Sequence, residues 1–269
     1  YNTVEATNKV AKGAEIVDFE KAIAANLKTI EESRDAQKRY NPIAVKDLNQ
    51  LVKNVDVAKY LTDMGFKADT VIIGELKYYQ NLDKIINQKN IPVIKDYLKF
   101  QLMNNASSYL TQELDELSFD FYGRKMRGQK EQRALDKRGL EFVNSRVGEL
   151  LGKLYVEEHF PAEAKATCEE LVGYLRQSFA LHIENLAWMS PETKVKALEK
   201  LSKFKVKIGY PDKWKDYSQL AVGTSLFDNI QNANAWAFER NLEKQGQPVD
   251  KSEWGMTPQT VNAYYSPLY

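Results

Sequence analysis

Apolar residues at Ile16, Phe19, Ile23, Leu27 and Ile30 recur at intervals of three and four, which aligns them along one face of an α-helix. Tyr40-Asn41-Pro42 ends the pattern, because a proline disfavours helical backbone in the residue before it. A second helical stretch starts near Val45, and Gly65 ends one that holds Tyr60 and Leu61. Helical patterning resumes over about 70–87 and again from Pro92 to Glu116. Pro92 suits a first helical turn, where its missing N–H costs nothing. "GRKMRG" (123–128) reads as a basic loop, and residues 131–157 are helical in composition. After Phe160-Pro161 a further helix carries Leu171, Leu175, Phe179, His182 and Leu186 on one stripe, which marks them as its core face.

Sharper boundaries follow. In "WMSPETK" (188–194) Ser190 is a good N-cap, Pro191 fits the first helical position and Glu192 favours the positive end of the helix dipole. "IGYPDKW" (208–214) is a turn, with Gly209 free to take positive φ and Pro211 holding Tyr210 extended. Residues 225–244 are helical again, and "GQPVDKSEW" (246–254) is a connector. The ending "TPQTVNAYYSPLY" (257–269) breaks with everything before it, gathering the β-formers Thr260, Val261, Tyr264 and Tyr265 around Asn262. The pattern predicts an all-α chain to roughly 245 and an extended segment after it.

Charge changes this picture little. Lys plus Arg is 38 against Asp plus Glu 37, which gives no global reason to expect nucleic acid or an anionic membrane as partner. No apolar run approaches the roughly 20 residues needed to cross a bilayer. No signal peptide is visible, but the sequence starts at Tyr1 rather than Met, so compartment stays open. Cys168 is the one cysteine; Glu169 and Glu170 beside it oppose thiolate formation, and it reads as a small core residue.

Candidate chemistry is sparse. His159 and His182 are the two histidines, and neither stands four residues from another or begins a His-Glu pair. Zinc catalysis commonly takes three protein ligands, two or three of them often histidines, so no metal site is readable. His182 reads as a core histidine, and His159 as a cation suited to a helix C-terminus. No Gly-x-Ser-x-Gly elbow is present, and "GRKMRGQK" lacks the Gly-Lys-Ser/Thr ending of a phosphate loop. Residues 194–215 hold eight lysines interleaved with Phe204, Tyr210 and Trp214, which is the best case for a polyanion contact. A solvated face with apolar residues turned inward is nevertheless the favoured reading of them. Asn262 offers a side-chain donor and acceptor together, which suits gripping a peptide backbone added along an extended edge.

Five collinear stretches carry a resemblance: "ESRDAQKRYNP" (32–42), "LGKLYVEEHFP" (151–161), "LAWMSPETKVKALEKL" (186–201), "IGYPDKWKDYSQL" (208–220) and "WGMTPQTVNAYYSP" (254–267). Across essentially its whole length the chain resembles the neprilysin and endothelin-converting-enzyme family of zinc metallopeptidases. The resemblance implies a two-lobed enzyme in which a helical lobe caps a chamber and a thermolysin-like lobe holds zinc. Residues 1–232 are then the helical capping lobe, and 233–269 the connector and first edge strand of the catalytic lobe. Asn262, Ala263, Tyr264 and Tyr265 become the segment that binds the substrate backbone.

The family's His-Glu-x-x-His motif, its glutamate ligand and its transition-state histidine and arginine have no counterpart here. The resemblance therefore implies an internal piece of a longer zinc endopeptidase, inactive and zinc-free by itself. Its partners are a peptide substrate and the catalytic lobe of the same polypeptide, with no nucleic acid and no membrane contact from these residues. A lone cysteine fits a bacterial member better than a disulfide-rich animal ectodomain, and the family favours an extracytoplasmic location. A stand-alone, non-catalytic helical module for binding peptides or proteins is the alternative.

Overall fold

The computed structural model describes residues 3–266. Thirteen α-helices run through them: α1 (Thr3–Ala24), α2 (Ile30–Arg34), α3 (Ala36–Arg39), α4 (Leu48–Leu51), α5 (Val57–Asp63), α6 (Leu76–Gln80), α7 (Leu82–Ile85), α8 (Ile91–Ala106), α9 (Gln112–Ser118), α10 (Leu135–His159), α11 (Ala162–Asn185), α12 (Pro191–Ser202) and α13 (Leu226–Glu243). The one sheet among the described residues has two short antiparallel strands, β1 (Pro42–Ala44) and β2 (Thr70–Ile72), with Ile43 opposite Val71. The all-α expectation holds.

The chain divides into two compact units. Unit 1 comprises residues 1–132, 224–228 and 237–247; unit 2 comprises 133–223, 229–236 and 248–269. Helix α13 supplies residues to both, and the position 232/233 lies inside it.

In unit 1, α1 packs on α8 through buried Phe19, whose ring meets Tyr97 edge-on at 5.2 Å. Leu48, Val52, Ile73, Leu82 and Ile85 complete its core. The helix predicted through Ile30 stops at Ala24 instead. The Asn26 side-chain amide donates to the Ala22 carbonyl, and Thr29 opens α2 with a capping box to Glu32, so two local hydrogen-bond systems overrule the apolar spacing. Leu27 and Ile30 are left exposed. The helix predicted over 70–87 likewise begins with β2 rather than helix, because β1 offers a ladder partner. The break at 40–42, the role of Gly65 (φ +87°) and the place of Pro92 in the first turn of α8 are as predicted. "GRKMRG" is not a loop: residues 119–125 form a π-helix, and Gly128 at φ +70° ends the helical run.

Unit 2 is built on α10 and α11. Arg176 of α11 donates to the carbonyls of Leu201 and Ser202, closing the C-terminal end of α12. At the other end of α12, Ser190 accepts the Thr193 amide at 3.3 Å, as its sequence announces. Buried Glu149 accepts the Lys215 amide at 2.6 Å, with the Lys215 ammonium 3.5 Å away. Beside it Tyr217 stacks on Trp236 at 4.7 Å. Burial, then the neighbouring Glu149 charge, pushes the Tyr217 phenol up.

The predicted core stripe of α11 is exposed: Leu171, Leu175 and Phe179 are 57–59% accessible, and His182 is exposed with them. Ile183, off that stripe, is the buried residue of this helix. Cys168 is half-buried rather than core. Amphipathic spacing therefore marks a helix here without telling which residues its own unit covers.

Candidate functional site

The extended segment is seated on α10. This helix bends at Val147 (φ −129°, ψ 38°), and two glycines, Gly148 and Gly152, follow the bend one turn apart. A Cβ at Gly148 would lie 2.7 Å from the Thr257 methyl, and one at Gly152 would lie 2.6 Å from Pro258 Cδ. Glycine is thus required for residues 257–259 to lie on the helix. The Gln259 amide nitrogen fixes them further by donating to Asn144 Oδ1 and to the Gly148 carbonyl.

Beyond this root the backbone turns twice. The Thr260 amide donates to the Thr257 carbonyl, with the two threonine hydroxyls 2.9 Å apart, and the Asn262 amide donates to the Thr260 carbonyl. The second is a three-residue γ-turn with fully exposed Val261 at its tip. Residues 260–266 enter no ladder. Among the described residues, the edge strand expected here is an extended segment without a sheet. Pro267 to Tyr269 lie outside the described residues.

Asn262, Ala263, Tyr264 and Tyr265 do come together, on the wall of one cleft of about 550 Å³. Asn262 Oδ1 accepts the Ala263 amide at 2.7 Å, while its side-chain nitrogen makes no hydrogen bond to a described residue. Tyr265 leans on Phe204, ring centres 5.4 Å apart. A Cβ at Gly255 would sit 2.6 Å from the Tyr264 hydroxyl, so that ring is held against the connector. Both tyrosines stay more than half exposed.

The cleft is basic: Lys200, Lys203, Lys205, Lys207 and Lys251 line it, and among the described residues no carboxylate does. The lysine run of the sequence has divided. Lys215 serves Glu149, Lys194 donates to the Glu184 carbonyl and Lys196 pairs with Glu199, whereas four of the eight turn to the cleft. Lys203 pairs with Glu199 at 2.6 Å, and these contacts hold the Glu199 carboxyl below its ordinary value. Lys207 donates to the Glu253 carbonyl. Lys251 joins from a connector whose composition gave no signal of it. The glycine seat was equally silent, since only tertiary contact distinguishes Gly148 and Gly152 from tolerated helix glycines.

Among the described residues no group of three or more His, Cys, Asp or Glu is placed to hold a metal ion. His159 lies 3.3 Å from Glu158 and against Tyr155, and His182 is on the exposed face of α11. Neither assembles a ligand set, so zinc does not fit these residues.

A family model described as "Peptidase family M13" matches residues 2–211. The chain belongs to peptidase family M13. Its M13 relatives include the neutral endopeptidase of Lactococcus lactis subsp. lactis, 30% identical over 267 residues, covering 98% of this chain and 42% of that protein. Neprilysin-11 of Caenorhabditis elegans is 28% identical over 269 residues, covering 94% of this chain and 32% of the relative. The crystal structure of a Mycobacterium tuberculosis zinc metalloprotease in complex with an inhibitor superposes with a TM-score of 0.89 at 34% identity, over 97% of this chain and 40% of that one. This M13 chain thus spans about two fifths of the length of the Lactococcus relative.

Proposed function

We propose that the chain is the helical, substrate-holding part of a longer zinc endopeptidase, in which Asn262 to Tyr265 align a peptide by its backbone. One observation carries the reading. The segment is fixed at its root by Gln259 and the glycine seat, while the amides of Tyr264 and Tyr265 and the Asn262 side-chain nitrogen make no hydrogen bond to a described residue. A fixed, unpaired edge can take an added strand. Endopeptidase and zinc metalloprotease activities in the names of relatives support the reaction class.

In this reading residues 1–232 cap the chamber, 233–269 lead into the catalytic lobe, and the zinc ligands belong to residues outside this sequence. We place the protein outside the cytoplasm, by its family likeness. Among the described residues no helix is long and apolar enough to cross a membrane.

The test is Asn262→Ala in the complete polypeptide. The change removes an amide donor and the second lone pair of Oδ1, each bond worth about 0.5–1.5 kcal/mol net, so kcat/KM should fall roughly five- to hundredfold. The fall should be similar for peptides of different sequence, with zinc content and melting temperature unchanged. Normal cleavage, or loss only through unfolding, would reduce Asn262 to a structural residue. A complete polypeptide that binds peptides without cleaving them would favour a non-catalytic binding module.

A further inference from the structure

The residues that line the cleft beside Asn262 differ sharply in charge from the chain as a whole. The protein carries a formal net charge of +1, yet among the described residues five lysines and no carboxylate line this one concavity. Two of the five are occupied, Lys203 with Glu199 and Lys207 with the Glu253 carbonyl. Lys200, Lys205 and Lys251 make no direct ion pair with a described residue, Lys205 acting only at longer range on the Asp212 carboxyl, and all three are exposed. Ammonium groups gathered in this way raise the local concentration of anions.

The basic wall and the backbone-presenting wall are joined rather than merely near. Phe204, in the middle of the lysine run, packs on Tyr265, and Trp254, Gly255 and Met256 line the same cleft between Lys251 and the segment. Residues 262–265 line this same space. We propose that the cleft holds a carboxylate of that peptide, so that the site selects acidic peptides or peptides ending in a free carboxylate nearby. The inference rests on the peptide-binding reading of Asn262 to Tyr265. A carboxylate there meets unpaired lysines at partly exposed positions, where each ion pair adds a fraction of a factor of ten. Three together should favour an acidic peptide about five- to tenfold at low salt.

The experiment measures binding of fluorescent peptides of equal length to the purified chain by anisotropy at 20 and 200 mM NaCl. One peptide is neutral with both ends blocked, one carries two aspartates with both ends blocked, and one is neutral with a free C-terminal carboxylate. Each is tested against the unaltered chain, Asn262→Ala, and the triple variant Lys200→Gln/Lys205→Gln/Lys251→Gln. An aspartate or free-terminus preference of about five- to tenfold, lost in the triple variant and weakened by salt, supports the proposal and identifies the source of the carboxylate.

Equal binding of all three peptides, with Asn262→Ala weakening each, overturns the proposal and leaves backbone recognition standing. An acidic preference kept while Asn262→Ala leaves the affinity of every peptide unchanged supports the lysine cleft and counts against the backbone grip. No binding of any peptide overturns both. Tighter, lysine-dependent binding of an oligothymidylate than of the aspartate peptide would assign the cleft to phosphate polyanions and overturn the peptide assignment.

Discussion

Gly209 offers a quantitative test of how unit 2 is held together. Its φ of +70° is left-handed, and a methyl group added there would overlap the edge of the Phe160 ring, with Phe160 Cζ at 3.1 Å. Gly209→Ala therefore imposes two penalties. Backbone strain costs about 1–2 kcal/mol, and displacing a packed ring about 1–3 kcal/mol. The ring cannot move alone, because Phe160 meets Tyr210 edge-on at 5.8 Å, Tyr210 stacks with Trp214 at 6.2 Å, and the Lys165 ammonium sits 4.4 Å over Tyr210. The sum is about 2–5 kcal/mol, which at a urea dependence of roughly 2 kcal/mol per molar lowers the unfolding midpoint by about 1–2.5 M.

Tryptophan emission is the assay, since all four tryptophans (188, 214, 236 and 254) fall in unit 2 and report on it separately from unit 1. Phe160→Leu supplies the control. If overlap with the ring matters, the double variant should be less destabilised than the sum of the two singles by about 1 kcal/mol or more. Strict additivity, or a midpoint for Gly209→Ala within about 0.2 M of the unaltered chain, would refute the packing argument.

Two further outcomes are expected. Gly152→Leu should evict residues 257–259 from α10, seen as chymotryptic cleavage after Tyr264 or Tyr265 well before the helices are cut; unchanged protection would mean that the segment is held elsewhere. Acid should destabilise the fold, because hydrogen bonds and lysines hold Glu31, Glu32, Asp56, Asp120, Glu192, Glu199, Asp212 and Asp250 below the ordinary 4.5 or 3.8. Their contribution is complete above those values and lost as pH falls through the lower folded ones, so circular dichroism melts should show the melting temperature dropping below about pH 4. A rise on acidification would contradict this.

Elements defined by local chemistry were legible in the sequence. Ser190-Pro191 and Gly65 state their boundaries through capping and φ alone, and α12 and the end of α5 follow them. Elements defined by partners were not. Thr70-Val71-Ile72 is a strand because Pro42-Ile43-Ala44 lies beside it, and no spacing encodes that choice. The stripe on α11 announced a helix correctly, but which of its faces unit 2 buries depends on packing. At the site, the extended stretch around Asn262 stood out through composition, the assignment of Asn262 to Tyr265 as a binding segment came only through the family resemblance, and the lysine run stood out through density. Their meeting in one cleft, with Lys251 added from the connector, is a tertiary fact.

The glycine pair on α10 sets element stability against presentation of the segment. In a helix interior each glycine forfeits about 1 kcal/mol relative to alanine. An engineer ranking substitutions by helical propensity would fill Gly148 and Gly152 first, and the isolated helix would gain. The methyl groups would meet Thr257 and Pro258, and the loss would appear where residues 262–265 are presented. Thermostability screens and peptide-binding screens of this chain should rank these two positions in opposite order.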